Sequence, residues 1–331
     1  MNVPLLEVEG LEVAYHVRSG TLPALHDLTF DVRPGEIVGV VGESGCGKST
    51  LSSALLRLLP ANGEITGGRV RFKGRELLAL SAEEMRRLRG SELAMIFQDP
   101  LTSLNPTFTV GTQMLDVQLA HRRRGERGEL RRRAAEMLGQ VGIPDVAERL
   151  DDYPHQFSGG MRQRIMIGMA LLLEPALLIA DEPTSALDVT LEAQILELVR
   201  RLREEHGTAI LFISHDLGVI AQICDRVVVM YAGRAVEEGD VISIFERPLH
   251  PYTQALLAAI PSHRRRGELL ASIPGRVPAL SALPAGCKFA DRCPHVQDVC
   301  LAREPRYAPV DERRSRCTIS DPASGYRADA Q

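Results

Sequence analysis

The 331-residue sequence lacks tryptophan, has few aromatic residues, and contains lysine only at positions 48, 73 and 288. Its formal net charge is only −4, so no strong overall field attracts nucleic acid, and we expect no nucleic-acid partner. The amino terminus, MNVPLLEVEGLEVAY, lacks the basic segment followed by an apolar run that is typical of a signal peptide. The most apolar stretch, residues 165–180, is interrupted by Glu174 and Pro175 and is too short to span a bilayer. These absences favour a globular chain that does not itself cross a membrane.

The hydrophobic content of 44% is enough for a large core, and the length predicts about two domains. Short β-rich segments at 5–15, 24–33 and 69–75 predict an antiparallel layer. Residues 101–173 have a helical pattern. Apolar runs alternating with helices then predict an α/β fold with a mostly parallel sheet, the runs being 177–181, 209–214 and 226–231. After residue 247 the sequence becomes rich in proline and cysteine, so we predict domains at 1–247 and 248–331.

A glycine-rich run, GESGCGKS at residues 42–49, lies between an apolar β-branched run and an amphipathic helix. The glycines permit turns that a Cβ would block, and the N–H groups at a helix N-terminus attract phosphate. Lys48 is expected to reach the β- and γ-phosphates of a nucleotide, and the Ser49 hydroxyl to ligate Mg²⁺. The predicted nucleotide-binding residues here are Gly42, Glu43, Ser44, Gly45, Cys46, Gly47, Lys48, Ser49 and Thr50.

Asp181 is the last residue of the apolar run LLIAD, and Glu182 follows it directly. Asp181 suits the Mg²⁺ shell, and Glu182 suits polarising the attacking water in phosphoryl transfer. Ser158, Gly159 and Gly160 open an apolar helix and form a second predicted anion site. Because the chain already has a complete phosphate loop, this second site must serve another nucleotide.

GESGCGKS, Gln98, FSGGM, LLIADEP, SALD (185–188) and His215 follow one another in an order that resembles ATP-binding cassette ATPases. The resemblance covers roughly residues 5–250. It implies an ATP-hydrolysing fold with an antiparallel β subdomain, a RecA-like parallel-sheet core and a helical signature subdomain. It also implies that two cassettes pair head to tail, with the Ser-Gly-Gly of one contacting the γ-phosphate held by the other.

The same resemblance assigns roles to three more residues. Gln98 would sense Mg²⁺ and the water, and His215 would contact the γ-phosphate. Tyr15 resembles the aromatic residue that stacks on adenine, with packing in the core as the alternative. The family's usual signature has Gln where this chain has Met161, so a side-chain contribution from that position is absent.

Three longer motifs, MIFQDPLTSLNPTFTVG (95–111), YPHQFSGGMRQR and HPYTQALLAAIP (250–261), look like the ATPase subunits of dipeptide and oligopeptide importers. That resemblance implies a peripheral protein on the cytoplasmic face of the inner membrane. Its partners would be a homologous ATPase subunit that pairs with it as a heterodimer, two permease subunits and an external peptide-binding protein. The alternatives are import of nickel or another small solute, and a soluble cassette acting on ribosomes or DNA.

The carboxyl-terminal segment contains four closely spaced cysteines, Cys287, Cys293, Cys300 and Cys317. Four thiolates can close a zinc site or hold an iron–sulfur cluster, and the absence of a Cys-x-x-Cys pair disfavours a common zinc ribbon. The peptide-importer family carries this pattern, which implies a [4Fe-4S] cluster, with zinc and unligated thiols as alternatives. Cys46 and Cys224 are assigned to no metal.

Overall fold

The computed structural model describes residues 3–98, 103–121, 126–185, 187–260, 272–321 and 324. Within them the strands are β1 Leu6–Val17, β2 Gly20–Val32, β3 Ile37–Val41, β4 Gly63–Phe72, β5 Arg75–Glu76, β6 Leu93–Ile96, β7 Leu177–Asp181, β8 Ala209–Ser214, β9 Arg226–Tyr231, β10 Arg234–Asp240, β11 Ala308–Val310 and β12 Arg313–Ser315.

The helices of the described residues are α1 Lys48–Leu55, α2 Ala82–Leu88, α3 Val110–Ala120, α4 Arg127–Gln140, α5 Val146–Arg149, α6 Gly159–Leu171, α7 Val189–His206, α8 Leu217–Ile223, α9 Val241–Glu246, α10 Pro251–Ala258 and α11 Asp298–Ala302. Short 3₁₀ turns lie at Leu77–Ala79, Pro154–Gln156 and Ala290–Arg292.

The chain divides into two compact units. The first comprises Met1–Leu5, Arg33–Glu36 and Ala79–Ile213, and the second comprises Leu6–Val32, Ile37–Leu78 and Ser214–Gln331.

In the first unit β7 pairs in parallel with both β6 and β8. All residues of β7 and β8 are buried, as expected of parallel strands that are covered on both faces. Helix α7 buries one face, including Ile195, Val199 and Leu202, and ends at Gly207 in the left-handed conformation. The alternation of apolar strands and helices thus predicted this parallel arrangement correctly.

The second unit contains an antiparallel sheet with the strand order β2-β1-β4-β5. This sheet confirms the antiparallel layer predicted from the first β-rich segments. The unit also contains β3, which pairs in parallel with β9, while β9 pairs antiparallel with β10. Beyond β10, the carboxyl-terminal segment adds β12 and then β11, both antiparallel.

The carboxyl-terminal segment therefore extends the sheet that contains the phosphate-loop strand β3. Residues 248–331 belong to the same compact unit as β10. Glu237 and Glu238 of β10 pair with Ser315 and Arg314 of β12. The domain boundary at residue 247 remains a prediction.

The apolar stretch at 165–180 is divided between two elements, α6 and β7. Among the residues that the structure describes, none of the helices combines the length and the apolar character needed to cross a bilayer.

Candidate functional site

The phosphate loop joins a fully buried strand, β3, to helix α1, as the sequence predicted. Helix α1 begins at Lys48 directly after the glycine run, so its first backbone N–H groups belong to the loop. Ser44, Gly45 and Ser49 are exposed, which leaves this part of the loop accessible to a ligand. The arrangement is that of an anion site at a helix N-terminus.

Two glycines of the loop are required by its geometry. A Cβ on Gly42 would lie 2.2 Å from the carbonyl oxygen of Met230 and 2.7 Å from the sulfur of Cys46. Gly47, the N-cap of α1, has φ 105°, a conformation that residues with a side chain rarely adopt. The loop can take this path only with glycine at both positions.

Lys48 is buried, and its ammonium group donates hydrogen bonds to the carbonyl oxygens of Gly42 (2.7 Å) and Glu43 (3.3 Å). The side chain thus folds back along the loop from the start of α1. Cys46 is buried as well, and burial raises the pKa of its thiol.

Tyr15 lies beside the start of α1, where its hydroxyl is 3.2 Å from the hydroxyl of Thr50. Its ring is half-buried and passes close to Gly63, where a Cβ would lie 2.9 Å from the ring. These contacts fix the position of the Tyr15 ring, and they are compatible both with stacking on adenine and with packing in the core. His215 is exposed and follows β8, before Asp216, which caps α8.

In the first unit the structure brings Gln98 and Glu182 together. The side-chain amide of Gln98, just beyond β6, donates a 3.0 Å hydrogen bond to the Glu182 carboxylate. Glu182 follows Asp181 at the end of β7 and has φ 47°, a strained value for a residue with a side chain. Its backbone N–H is held by the carbonyl oxygen of Ile213 at 2.9 Å. The strain and the two contacts fix the direction of this carboxylate.

Helix α6 opens with the predicted Ser-Gly-Gly. The Ser158 hydroxyl caps the helix by accepting a 3.3 Å hydrogen bond from the N–H of Met161. Gly159 is exposed, and a Cβ built there meets no atom within 4 Å, so this helix tip is open to an approaching group. The N-terminus of α6 therefore has the form of an anion site.

Sequence reasoning missed Gln163, which links this helix to the segment that directly follows β7. Its buried side-chain amide donates a 2.5 Å hydrogen bond to the carbonyl oxygen of Pro183, directly after Glu182. Gln163 stands in the quoted motif FSGGMRQR, so its position five residues after Ser158 was the available signal. Of SALD, Ala186 lies outside the described residues, and Asp188 caps α7.

The four carboxyl-terminal cysteines lie near one another in the second unit. The backbone N–H of Cys287 donates to the carbonyl oxygen of Cys300 at 2.8 Å. Burial, with a smaller contribution from neighbouring cysteines, raises the pKa of the Cys287 thiol to about 11 and that of the Cys317 thiol to about 12. Cys293 contributes to both of these shifts.

Nearness alone does not form a metal site. The described residues contain no group of three or more His, Cys, Asp or Glu side chains that could hold a metal ion. Neither the zinc nor the cluster prediction is therefore supported by the side-chain positions. Cys224, at the end of α8, is a packing residue, because its sulfur lies 2.9 Å from where a Cβ on Gly39 would be.

Comparison with known families agrees with this geometry. Residues 25–185 match the family model described as ABC transporter, and residues 236–300 match the model described as oligopeptide/dipeptide transporter, C-terminal region. A probable peptide ABC transporter ATP-binding protein of Sinorhizobium fredii is 52% identical over 303 residues, which are 91% of this chain and 90% of that protein. The chain belongs to the ABC transporter family. It is an ATPase subunit of that family, and binding of ATP with Mg²⁺ is expected of it.

This ABC subunit is also similar to a second curated protein and to a solved cassette structure. The oligopeptide transport ATP-binding protein OppD of Escherichia coli is 49% identical over 301 residues, 91% of this chain and 89% of OppD. The dimeric post-hydrolysis structure of the ATP-binding cassette MJ0796, bound to ADP and Pi, covers 71% of this chain with a TM-score of 0.64 and 26% identity; the match includes 98% of MJ0796. The cassette fold is thereby confirmed.

Replacing Gly42 with Ala should distort the phosphate loop, because the added methyl group has no room beside the Met230 carbonyl. We expect a loss of about 2 kcal/mol in the free energy of unfolding and MgATP binding weakened by about tenfold or more. Thermal unfolding and calorimetric titration measure the two effects. Gly139→Ala is the matched control, since a Cβ there meets no atom within 4 Å; equal behaviour of the two variants would contradict the account of the loop.

Proposed function

We propose that this chain powers the import of dipeptides or oligopeptides by hydrolysing ATP beneath partner permease subunits. The observation that carries the proposal is that one chain matches both the ABC transporter model and the oligopeptide/dipeptide transporter C-terminal model. The 49% identity to OppD across nine-tenths of the chain supports the same cargo.

Within the phosphate loop, residues 42–50 bind the triphosphate through backbone N–H groups, and Lys48 contacts the β- and γ-phosphates. Ser49 and Asp181 are the proposed Mg²⁺ ligands, with Gln98 close to that shell; the ion would neutralise charge on the phosphates. Glu182 orients and polarises the attacking water, and the hydrogen bond from Gln98 supports this role. His215 contacts the γ-phosphate, and Tyr15 stacks on adenine.

A second cassette completes each nucleotide site. Ser158, Gly159 and Gly160 of one subunit bind the γ-phosphate held by the other, and the open tip of α6 supports this role. ATP then joins the two subunits and its hydrolysis releases them, so the nucleotide selects between two states. We propose that the second cassette is a homologous subunit, which makes the pair a heterodimer.

The permease contact is proposed to lie in the loop after Gln98. Phe97 and Phe108 of this segment are 50% and 48% exposed, an unusual exposure for large apolar side chains that suits contact with another protein. Residues 99–102, in the middle of the segment, lie outside the described residues. The assembly would sit on the cytoplasmic face of the membrane and receive its cargo from an external peptide-binding protein.

For residues 248–331 we propose a small domain that Cys287, Cys293, Cys300 and Cys317 hold together around a [4Fe-4S] cluster. The proposal draws on the nearness of these cysteines, since the Cys287 N–H donates to the Cys300 carbonyl oxygen at 2.8 Å, and Cys287 and Cys293 both contribute to the raised pKa of the Cys317 thiol. A four-iron cluster spaces its thiolates more widely than a single metal ion does, and thiolates are the ligands that such clusters prefer. Metal–thiolate bonds can replace an apolar core in so short a segment.

Cargo and chemistry are tested together in the complete membrane complex. Peptide-loaded binding protein should stimulate ATP hydrolysis and drive peptide uptake into vesicles. In the Glu182→Gln variant the carboxylate that polarises water is lost, so we expect MgATP to bind normally while stimulated hydrolysis falls by about a hundredfold or more. Stimulation by nickel or another small solute but not by peptides would overturn the cargo, and normal hydrolysis by Glu182→Gln would remove its role.

Purification without oxygen tests the cluster. The full chain should be brown, with cluster-type absorbance and about four iron atoms per chain. Cys293→Ala should lose the colour and the iron, whereas Cys224→Ala, the control at a packing cysteine, should keep both. A colourless wild-type chain, or one that contains zinc, would show that the cysteines do not hold an iron–sulfur cluster.

A further inference from the structure

The phosphate loop is held in place by a side chain that lies 249 positions away in the sequence. Nη1 and Nη2 of Arg292 bind the two carboxylate oxygens of Glu43 at 2.7 Å and 3.0 Å. The Arg292 side chain is only 3% exposed, whereas that of Glu43 is 29% exposed, so water reaches the pair from the carboxylate side only. Such planar, charged pairs fix direction as well as distance.

The remaining polar groups of Glu43 are also engaged. Its backbone N–H donates to the hydroxyl of Tyr252 at 2.9 Å, and its carbonyl oxygen accepts from the ammonium of Lys48 at 3.3 Å and from the N–H of Cys46 at 3.2 Å. Burial raises the pKa of Tyr252, which keeps its hydroxyl neutral. Glu43 thus connects the phosphate loop to the carboxyl-terminal part of the chain through both its side chain and its backbone.

Arg292 is itself held in one orientation. Its Nε donates to the carbonyl oxygen of Pro274 at 2.8 Å, and Nη1 also donates to the hydroxyl of Tyr231 at 3.3 Å. The guanidinium lies 5.7 Å from the ring centre of Tyr231 and 5.9 Å from that of Phe289. The Tyr252 ring packs on the same two rings, at 4.6 Å and 5.4 Å between centres. Arg292 and Tyr252 therefore belong to one cluster of side chains in mutual contact.

Arg292 lies within the cysteine-bearing segment. Arg292 ends the 3₁₀ turn Ala290–Arg292, between Cys287 and Cys293, and directly precedes Cys293. The backbone N–H of Arg292 is bound by the carbonyl oxygen of Phe289 at 3.0 Å, within the same turn. The guanidinium therefore projects from the turn that joins Cys287 to Cys293.

We propose that Arg292 is a positioning residue for the phosphate loop, through which the folded carboxyl-terminal segment sets the affinity for MgATP. The proposal rests on the function proposed above only in taking residues 42–50 as the ATP site. In this proposal Arg292 acts through Glu43 and not on the nucleotide itself. It holds the Glu43 end of the loop so that the N–H groups that follow converge on phosphate.

The charge of Glu43 explains why affinity should depend on this contact. A carboxylate within the loop repels a triphosphate, and because the Glu43 side chain is only partly exposed, water screens this repulsion incompletely. Arg292 neutralises that charge and holds the Glu43 carboxylate toward the carboxyl-terminal segment. Without the guanidinium, the loop would carry an unpaired negative charge and lose one of its supports.

The proposal is tested by titrating the full-length chain with MgATP. Arg292→Gln should raise the Kd by about tenfold, as expected for loss of a charged hydrogen-bonded pair. Arg292→Lys keeps the charge but not the two-pronged geometry and should recover part of the affinity. Combining Arg292→Gln with Glu43→Gln removes the unpaired carboxylate and should bring the Kd back toward wild type.

Arg316 provides a matched control. It is a buried carboxyl-terminal arginine whose hydrogen bonds, within the described residues, go to the Asp27 carboxylate at 2.8 Å and to the carbonyl oxygens of Asp27 and Ala235, all outside the phosphate loop. Arg316→Gln should lower the melting temperature as much as Arg292→Gln but leave the Kd within about twofold of wild type. In the assembled transporter, Arg292→Gln should raise KM for ATP with kcat nearly unchanged.

Hydrogen exchange supplies a readout that does not depend on activity. Backbone amides of residues 42–47 should exchange faster in Arg292→Gln than in wild type and at the wild-type rate in Arg316→Gln. An unchanged Kd in Arg292→Gln, or equal weakening in Arg316→Gln, would overturn the positioning role. If wild type itself fails to bind MgATP, the proposed function fails; if wild type binds and Arg292→Gln binds equally well, only this inference fails.

Discussion

The proposed ATP site depends on one constraint, that backbone N–H groups between β3 and α1 must converge on a group of concentrated negative charge. Such convergence needs a chain path that side chains would obstruct, which is why Gly42 passes so close to the Met230 carbonyl and Gly47 has a positive φ. The buried strand β3 fixes where the path begins, and α1 fixes where it ends. Lys48 then brings the charge that a triphosphate requires.

Local sequence was sufficient to predict the elements whose pattern is continuous. The apolar run LLIAD became the buried strand β7, the Ser-Gly-Gly became the start of α6, and the glycine run became a strand–loop–helix connection. Each of these depends on contacts between neighbours in the sequence or on burial along one strand. The conclusion that the segment at 165–180 would not cross a membrane also agrees with its division between α6 and β7.

The contacts that sequence reasoning missed are those between distant segments. Nothing near Glu43 indicates a guanidinium 249 positions away, and the three-residue strands β11 and β12 are too short to show a period. The same limit applies to the cysteines, because spacing alone does not give the distances between sulfur atoms. The carboxyl-terminal segment therefore joins the phosphate-loop sheet more closely than its proline-rich composition indicated.

The central claim is that the backbone of residues 42–49 binds the triphosphate. Hydrogen–deuterium exchange of the full-length chain, with and without MgATP, tests it most directly. The account predicts strong protection of the peptide that contains this loop, and loss of both protection and binding, by about a hundredfold in Kd, in Lys48→Ala. Tight MgATP binding that leaves the exchange of residues 42–49 unchanged, or that survives in Lys48→Ala, would contradict the account.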